Sequence, residues 1–202
     1  MKSTASFLLL CSVVLLLNAC GSATPVPEDK FFRLGMGHIS QQQTIFPGSV
    51  AVQRFKADGL HNGRAIIYTD SKEPLQLKQY HYHHWLDAPS LMIQDHLISY
   101  LRKTHAAPLV VEDQPGIHSE YVITGKIIDF EQVTDGKQTR ADVKLELQLI
   151  KRGENTPILV QEYKQSVPTT DSSLYMLAKG LSTGLTSIYA DFLKGVSGHL
   201  GK

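Results

Sequence analysis

Asp142-Val143-Lys144-Leu145-Glu146-Leu147-Gln148-Leu149 alternates polar and apolar residues without a fault. Successive side chains of a β-strand point to opposite faces, so Val143, Leu145, Leu147 and Leu149 share one face. Asp142, Lys144, Glu146 and Gln148 share the other. Such a strand belongs in an antiparallel sheet with one dry and one wet face. Downstream, residues 158–167 pair with it across a turn over residues 151–157. Thr170 and Asp171 then cap a long helix whose apolar stripe is Leu174, Leu177, Ala178, Leu181, Leu185, Ile188, Tyr189 and Phe192. Upstream, residues 121–131 read as a strand in which Gly125 marks a bulge.

Toward the N-terminus, residues 31–34, 49–55, 64–69 and 109–112 are strand-like, and a Gln-rich loop fills residues 40–48. Residues 75–85 form a further extended candidate rich in Tyr and His. Asp87-Ala88-Pro89-Ser90 is a helix entry, since Asp or Ser can cap and Pro fits the first turn. Met92, Ile93, His96, Leu97, Tyr100 and Leu101 follow at helical spacing, with Arg102 and Lys103 near the end. The expected fold is α+β: a two-layer sandwich in which a mixed or antiparallel sheet is packed by two main helices.

Ahead of this domain stands Leu17-Asn18-Ala19-Cys20-Gly21. Lys2, the apolar run from Phe7 to Leu17 and the small residues after it have the three parts of a secretory signal. The run is shorter than the about 20 apolar residues that cross a bilayer. Leu17, Ala19 and Cys20 resemble a bacterial lipobox, in which the Cys takes a diacylglyceryl group and the chain is cut between Ala19 and Cys20. An ordinary signal peptide would not require a Cys at the cut. The expected division is residues 1–19 as signal, 20–30 as lipidated Cys and flexible tether, and 31–202 as the domain. Two acyl attachments on Cys20, the diacylglycerol and an amide-linked palmitate-type chain, give stable anchoring. Gly21 in place of Asp favours the outer membrane, by resemblance to lipoprotein sorting in Gram-negative bacteria.

Cys11 leaves with the signal and Cys20 is lipidated, so the domain has no thiol for a disulfide, metal or nucleophile. Loss of Lys2 takes the formal charge from +1 to 0, which gives nucleic-acid binding no support. His81-Tyr82-His83-His84-Trp85 invites a metal, because His81 and His83 share a face on a strand and imidazoles suit zinc or copper. A closed site needs companion ligands, which are not visible; the other reading is an amphipathic aromatic strand, and no metal is expected. Gly180-Leu181-Ser182-Thr183-Gly184 fits G-x-S-x-G, but a nucleophile elbow needs a preceding strand and a sharp turn, and this Ser lies within a helix. Gly180, Gly184 and Ser187 form instead a small-residue helix face suited to a close intrachain or subunit contact. Glu112/Asp113 and Asp129/Glu131 lack a partner base, so no catalytic set is evident and no enzyme is expected.

Phe31-Phe32-Arg33-Leu34, Ala65-Ile66-Ile67-Tyr68, Gln79-Tyr80-His81-Tyr82-His83-His84-Trp85 before Pro89, Leu97 to Leu101, and Tyr121-Val122-Ile123-Thr124-Gly125-Lys126-Ile127-Ile128-Asp129-Phe130-Glu131 occur in that order. The series resembles the ABC-type transport auxiliary lipoprotein family, the PqiC-like lipoproteins, over nearly the whole mature chain. The resemblance implies a non-enzymatic accessory subunit of an MCE-associated lipid or organic-solvent transport system. It would dock or scaffold at the periplasmic face of the outer membrane, with an MCE-type periplasmic protein and an inner-membrane ABC permease and ATPase as partners. It further implies a possible homo-oligomeric ring. Tyr80, Tyr82, Trp85, Gly180 and Gly184 are then candidate partner or oligomer contacts. No cofactor is expected beyond the acyl groups on Cys20. A second expectation is a periplasmic lipid or small-ligand carrier with its own apolar cavity.

Overall fold

A computed structural model describes residues 27–37, 39 and 44–201. Eight strands form one mixed sheet: β1 (Lys30–Phe32), β2 (Val50–Val52), β3 (Ala65–Asp70), β4 (Lys78–Trp85), β5 (Val110–Glu112), β6 (Tyr121–Asp135), β7 (Gln138–Lys151) and β8 (Leu159–Thr169). Two helices, α1 (Pro89–Lys103) and α2 (Leu174–Leu200), accompany it. The fold is α+β, as the hydrophobic periods require.

β6 organises the sheet. One edge pairs antiparallel with β7 along its whole length, from Tyr121 opposite Lys151 to Asp135 opposite Gln138. Its other edge is divided: β2 pairs parallel with its start and β3 parallel with its end. The sheet therefore forks, with β5 beyond β2 on one branch and β4 then β1 beyond β3 on the other. β7 and β8 complete the antiparallel side.

The alternation in β7 places Val143, Leu145, Leu147 and Leu149 at zero exposure, against Leu177, Leu181, Leu185, Ile188 and Phe192 of α2. Each such aliphatic side chain contributes about 1.5–3 kcal/mol on burial. The opposite face is not uniformly wet. Asp142 is buried, because Arg140 Nε at 2.9 Å and Lys164 across the strand pair compensate its carboxylate.

Three local expectations shift. Asp87 and Ser90 do not cap α1; Ala88 holds the N-cap position, Pro89 opens the first turn, and Ser90 Oγ accepts instead from Arg54 Nε. α2 begins after Ser173, whose Oγ accepts from Met176 N–H, while Asp171 Oδ1 accepts from Ser173 N–H and so braces the cap. Gly125 is not the bulge. The register slips between Ile127 and Asp129, and a Cβ on Gly125 would lie 2.5 Å from the Phe55 ring and 2.8 Å from the Glu146 carbonyl. Close approach of a neighbouring side chain explains that glycine.

Candidate binding surfaces

The chain enters the head through β1, which runs parallel to β4, and continues as a strap over Arg33–Gly37. One residue, Gly35, fastens the strap to both helices. Gly35 N–H donates to Ser182 Oγ of α2 at 3.0 Å, and Gly35 C=O accepts from His96 Nε2 of α1 at 2.9 Å. Ser182 Oγ in turn donates to Ala178 C=O at 2.7 Å. Both of its hydrogen-bonding roles are structural, which is the use the helix makes of the G-x-S-x-G string.

Because a carbonyl only accepts, His96 carries its proton on Nε2. Its Nδ1 is buried with no partner among the described residues. The ring lies against Tyr189, centroids 5.7 Å apart. Burial pulls the His96 pKa below the usual histidine value, the Gly35 bond opposes this, and Lys103 reinforces it.

Between the strap and α2 runs a groove of about 790 Å³, lined by Phe31, Phe32, Leu34 and Met36 on one side and by Tyr175 and Ala178 on the other. Thr183 and Thr186 also line it, but their hydroxyls bond back to Lys179 C=O and Ser182 C=O. Lys179 and Ser187 of α2 and Arg33 of the strap add polar groups to the same lining. The volume lies within the range of small-ligand pockets.

The expected aromatic contact strand divides. Trp85 is 1% exposed and packs on Phe130, centroids 5.4 Å apart, so it belongs to the core and not to a contact surface. Tyr80 is half-buried, donates to Gln132 Oε1 at 2.6 Å and lies on Tyr68. Tyr82 alone of the three is exposed, and it adopts a left-handed φ of 58°. That conformation breaks the alternation, and the β3–β4 register slips beside it. Tyr80 and His83 consequently meet at 6.2 Å, against the expectation that His81 and His83 share a regular strand face. His83 Nδ1 is 2.8 Å from His81 O, and His84 stands 3.5 Å from Asp29.

Gly180 and Gly184 face the chain's own sheet: their added Cβ atoms would lie 2.8 Å from Ala141 Cβ and 2.7 Å from Val143 Cγ1. The small-residue face is an intrachain helix–sheet contact, which removes it from the candidate subunit surfaces. Asp113 is tied to Gln53 and Arg152 at 2.8 and 2.6 Å. Glu131 is buried beside Asp129 and Asp142, and burial first, then those two charges, push its carboxyl up to about 7. Ala19 and Cys20 lie outside the described residues. Sequence reasoning missed the Gly35 clamp and the groove; the buried polar pair His96 and Ser182 on the two apolar helix stripes was the available signal.

Among solved structures, protein XCC0632 of Xanthomonas campestris superposes with a TM-score of 0.73 at 14% identity, over 84% of this chain and 96% of that one. An uncharacterised protein superposes at 0.67 and 13% identity, over 84% and 99%. A PelC dodecamer of Paraburkholderia phytofirmans reaches 0.46 at 15% identity, over 74% and 86%. At these identities the first two establish a shared fold. No curated protein matches the chain. The family model for the ABC-type transport auxiliary lipoprotein component matches residues 40–191. That span takes in α1, strands β2 to β8 and all but the last turns of α2, and the chain belongs to the ABC-type transport auxiliary lipoprotein family.

Proposed function

We propose that this protein is a membrane-anchored periplasmic docking or scaffold subunit of an MCE-associated ABC system for lipid or organic-solvent transport, acting without catalysis of its own. The family match over residues 40–191 carries the proposal. The geometry supports it: the segment that follows the tether is fastened by both helices, so a pull on the anchor is delivered to a rigid head. The buried, doubly bonded Ser182 supports a non-enzymatic role. Lipidation of Cys20, the outer-membrane address, ring assembly and docking through exposed Tyr82 belong to the same proposal. Affinity purification of the tagged protein from solubilised membranes should recover an MCE-type protein with its permease and ATPase. Purification of the folded protein without any of them would defeat the proposal.

The groove beside the strap favours one second function, a carrier for a lipid or small apolar ligand. Native mass spectrometry of the purified head would then show a bound lipid that Ala178→Trp removes.

A further inference from the structure

The longest free strand edge among the described residues belongs to β8. Its eleven residues pair with β7 on one side and with no strand on the other. The edge strands β1 and β5 have three residues each. A long open edge presents a row of unpaired N–H and C=O groups and is a template for a further strand. α2 covers the face of β8 and not its edge: a Cβ on Gly195 would meet Leu159 Cδ2 at 3.3 Å and Tyr163 Oη at 3.5 Å.

The hydrogen bonds of β7 fix which groups of β8 face outward. Arg152 N–H, just past the end of β7, donates to Glu120 C=O, while Leu149 C=O accepts from Ile158 N–H. Peptide groups alternate sides along a strand, so even-numbered residues of β7 turn to β6 and odd-numbered ones to β8. Odd residues of β7 stand opposite odd residues of β8. The outward groups are therefore the N–H and C=O of Val160, Glu162, Lys164 and Ser166, with the C=O of Pro168. Pro168 agrees with this assignment, since an edge strand accepts proline where the missing N–H would have faced solvent.

Complementarity selects the occupant. A second β8 laid antiparallel about a two-fold axis through Tyr163 satisfies every outward N–H. Val160 exchanges hydrogen bonds with the second copy's Ser166, and Glu162 with its Lys164. The side chains match in the same register. Glu162 faces Lys164 in both directions, and because Lys144 holds Glu162 Oε2, Oε1 is left for the new cation. On the helix face Leu159 meets Val167, Gln161 meets Gln165, and Tyr163 meets its own copy. An axis through Glu162 or Lys164 would instead set like charges opposite one another. The axis through Lys164 would also call on the N–H that Pro168 lacks. The helices fit as well. α2 straddles β7 and β8, with Val143 Cγ1 and Gln165 Cβ at 2.7 and 3.4 Å from a Cβ on Gly184. With strands about 4.8 Å apart, the two copies of α2 would lie about 10 Å apart, which is a helix-packing distance.

We propose that the outer edge of β8 is a homodimer interface, which joins two copies of this chain in one continuous sheet across a two-fold axis through Tyr163. Such a contact closes at two copies, unlike the head-to-tail contact of a ring. It rests on neither the ring, the anchor nor the docking role proposed above.

The test uses the full chain carrying Cys11→Ser and Cys20→Ala, so that an introduced cysteine is the only thiol. In the proposed pairing the two Tyr163 Cα atoms stand about 4.5 Å apart, inside the disulfide range, and the two Glu162 Cα atoms about 8 Å apart, outside it. Mild oxidation should cross-link Tyr163→Cys protein nearly completely and Glu162→Cys protein about tenfold less. Ser166→Pro removes an outward N–H from each copy and leaves the β7 pairing intact. It should weaken the dimer roughly tenfold in sedimentation equilibrium, with the unfolding midpoint unchanged. A cysteine-free chain that stays monomeric at every concentration overturns the interface. So does equal cross-linking at positions 162 and 163, or an assembly of any size that is not cross-linked at 163. A β8 edge that gains protection from hydrogen exchange only when an MCE-type protein is added belongs to that partner, which equally overturns the second copy.

Discussion

Replacing Gly184 by Ala should separate a helix–sheet contact from a subunit contact. The added methyl would stand 2.7 Å from Val143 Cγ1 and 3.4 Å from Gln165 Cβ. Comfortable carbon contacts begin near about 3.5 Å, so α2 or β7 must retreat by roughly 0.8 Å. Val143 is fully buried and branches at Cβ, so its methyl has little freedom to turn aside. Overpacking of this kind costs about 1–3 kcal/mol. Gly→Ala within a helix returns about 1 kcal/mol. The net is a loss of about 0–2 kcal/mol, or a fall of a few degrees in Tm for a domain of this size. Gly180→Ala meets Ala141 Cβ at 2.8 Å and should behave alike. Because one helix displacement relieves both clashes, the double variant should lose less than the sum. Gly198→Ala, with nothing within 4 Å of its added Cβ, is the propensity control and should stabilise by a few tenths of a kcal/mol to about 1 kcal/mol. Guanidinium unfolding of the unlipidated head provides the ΔΔG values. If Gly180→Ala and Gly184→Ala stabilise as much as Gly198→Ala, the close packing is refuted. If they change subunit number with stability untouched, the glycines serve an interface after all.

Trp85, the only tryptophan, should emit in the blue and resist iodide quenching, and Trp85→Ala should cost about 3–5 kcal/mol in chemical unfolding. His96 has a folded pKa below its unfolded value, so its stability contribution is complete above about 6.5 and is lost as pH falls through the folded value. His96→Gln, which can still donate to Gly35, should flatten the acid side of a pH–stability profile; an unchanged profile would refute the buried neutral imidazole. Glu131 has the opposite sign. Its folded pKa of about 7 exceeds the ordinary value of 4.5, so its contribution is full below 4.5 and lost as pH rises through about 7. Glu131→Gln should therefore raise stability relative to wild type at pH 8 more than at pH 5, as paired unfolding curves at the two pH values would measure.

The sheet and both helices were legible because their periods are long and regular: four alternating apolar residues in β7 and a stripe of eight in α2 leave no competing arrangement. Boundaries were less so. Asp171 looks like the cap of α2, yet Ser173 sits where the first free N–H groups point, and Asp171 acts one step back. The forked pairing of β6 was not legible, since parallel partners such as β2 and β3 carry no local mark of whom they join. Trp85 read as a surface aromatic because it follows a run of polar tips. The left-handed Tyr82 resets the alternation just before it, and a positive φ at a tyrosine leaves no trace in composition. The Gly35 clamp was invisible for a different reason. It joins residues 61 and 147 positions apart in sequence, and only the packed helices bring His96 and Ser182 to the same glycine.

The central claim is that a single lipidated residue, outside the described head, holds a folded binding domain at a membrane. Fractionation of cells expressing wild-type and Cys20→Ala protein addresses it most directly. Wild type should sediment with outer membranes, while Cys20→Ala should appear in the soluble periplasmic fraction with an unchanged unfolding midpoint. Cys20→Ala protein that sediments with the outer membrane to the same extent as wild type would contradict the account.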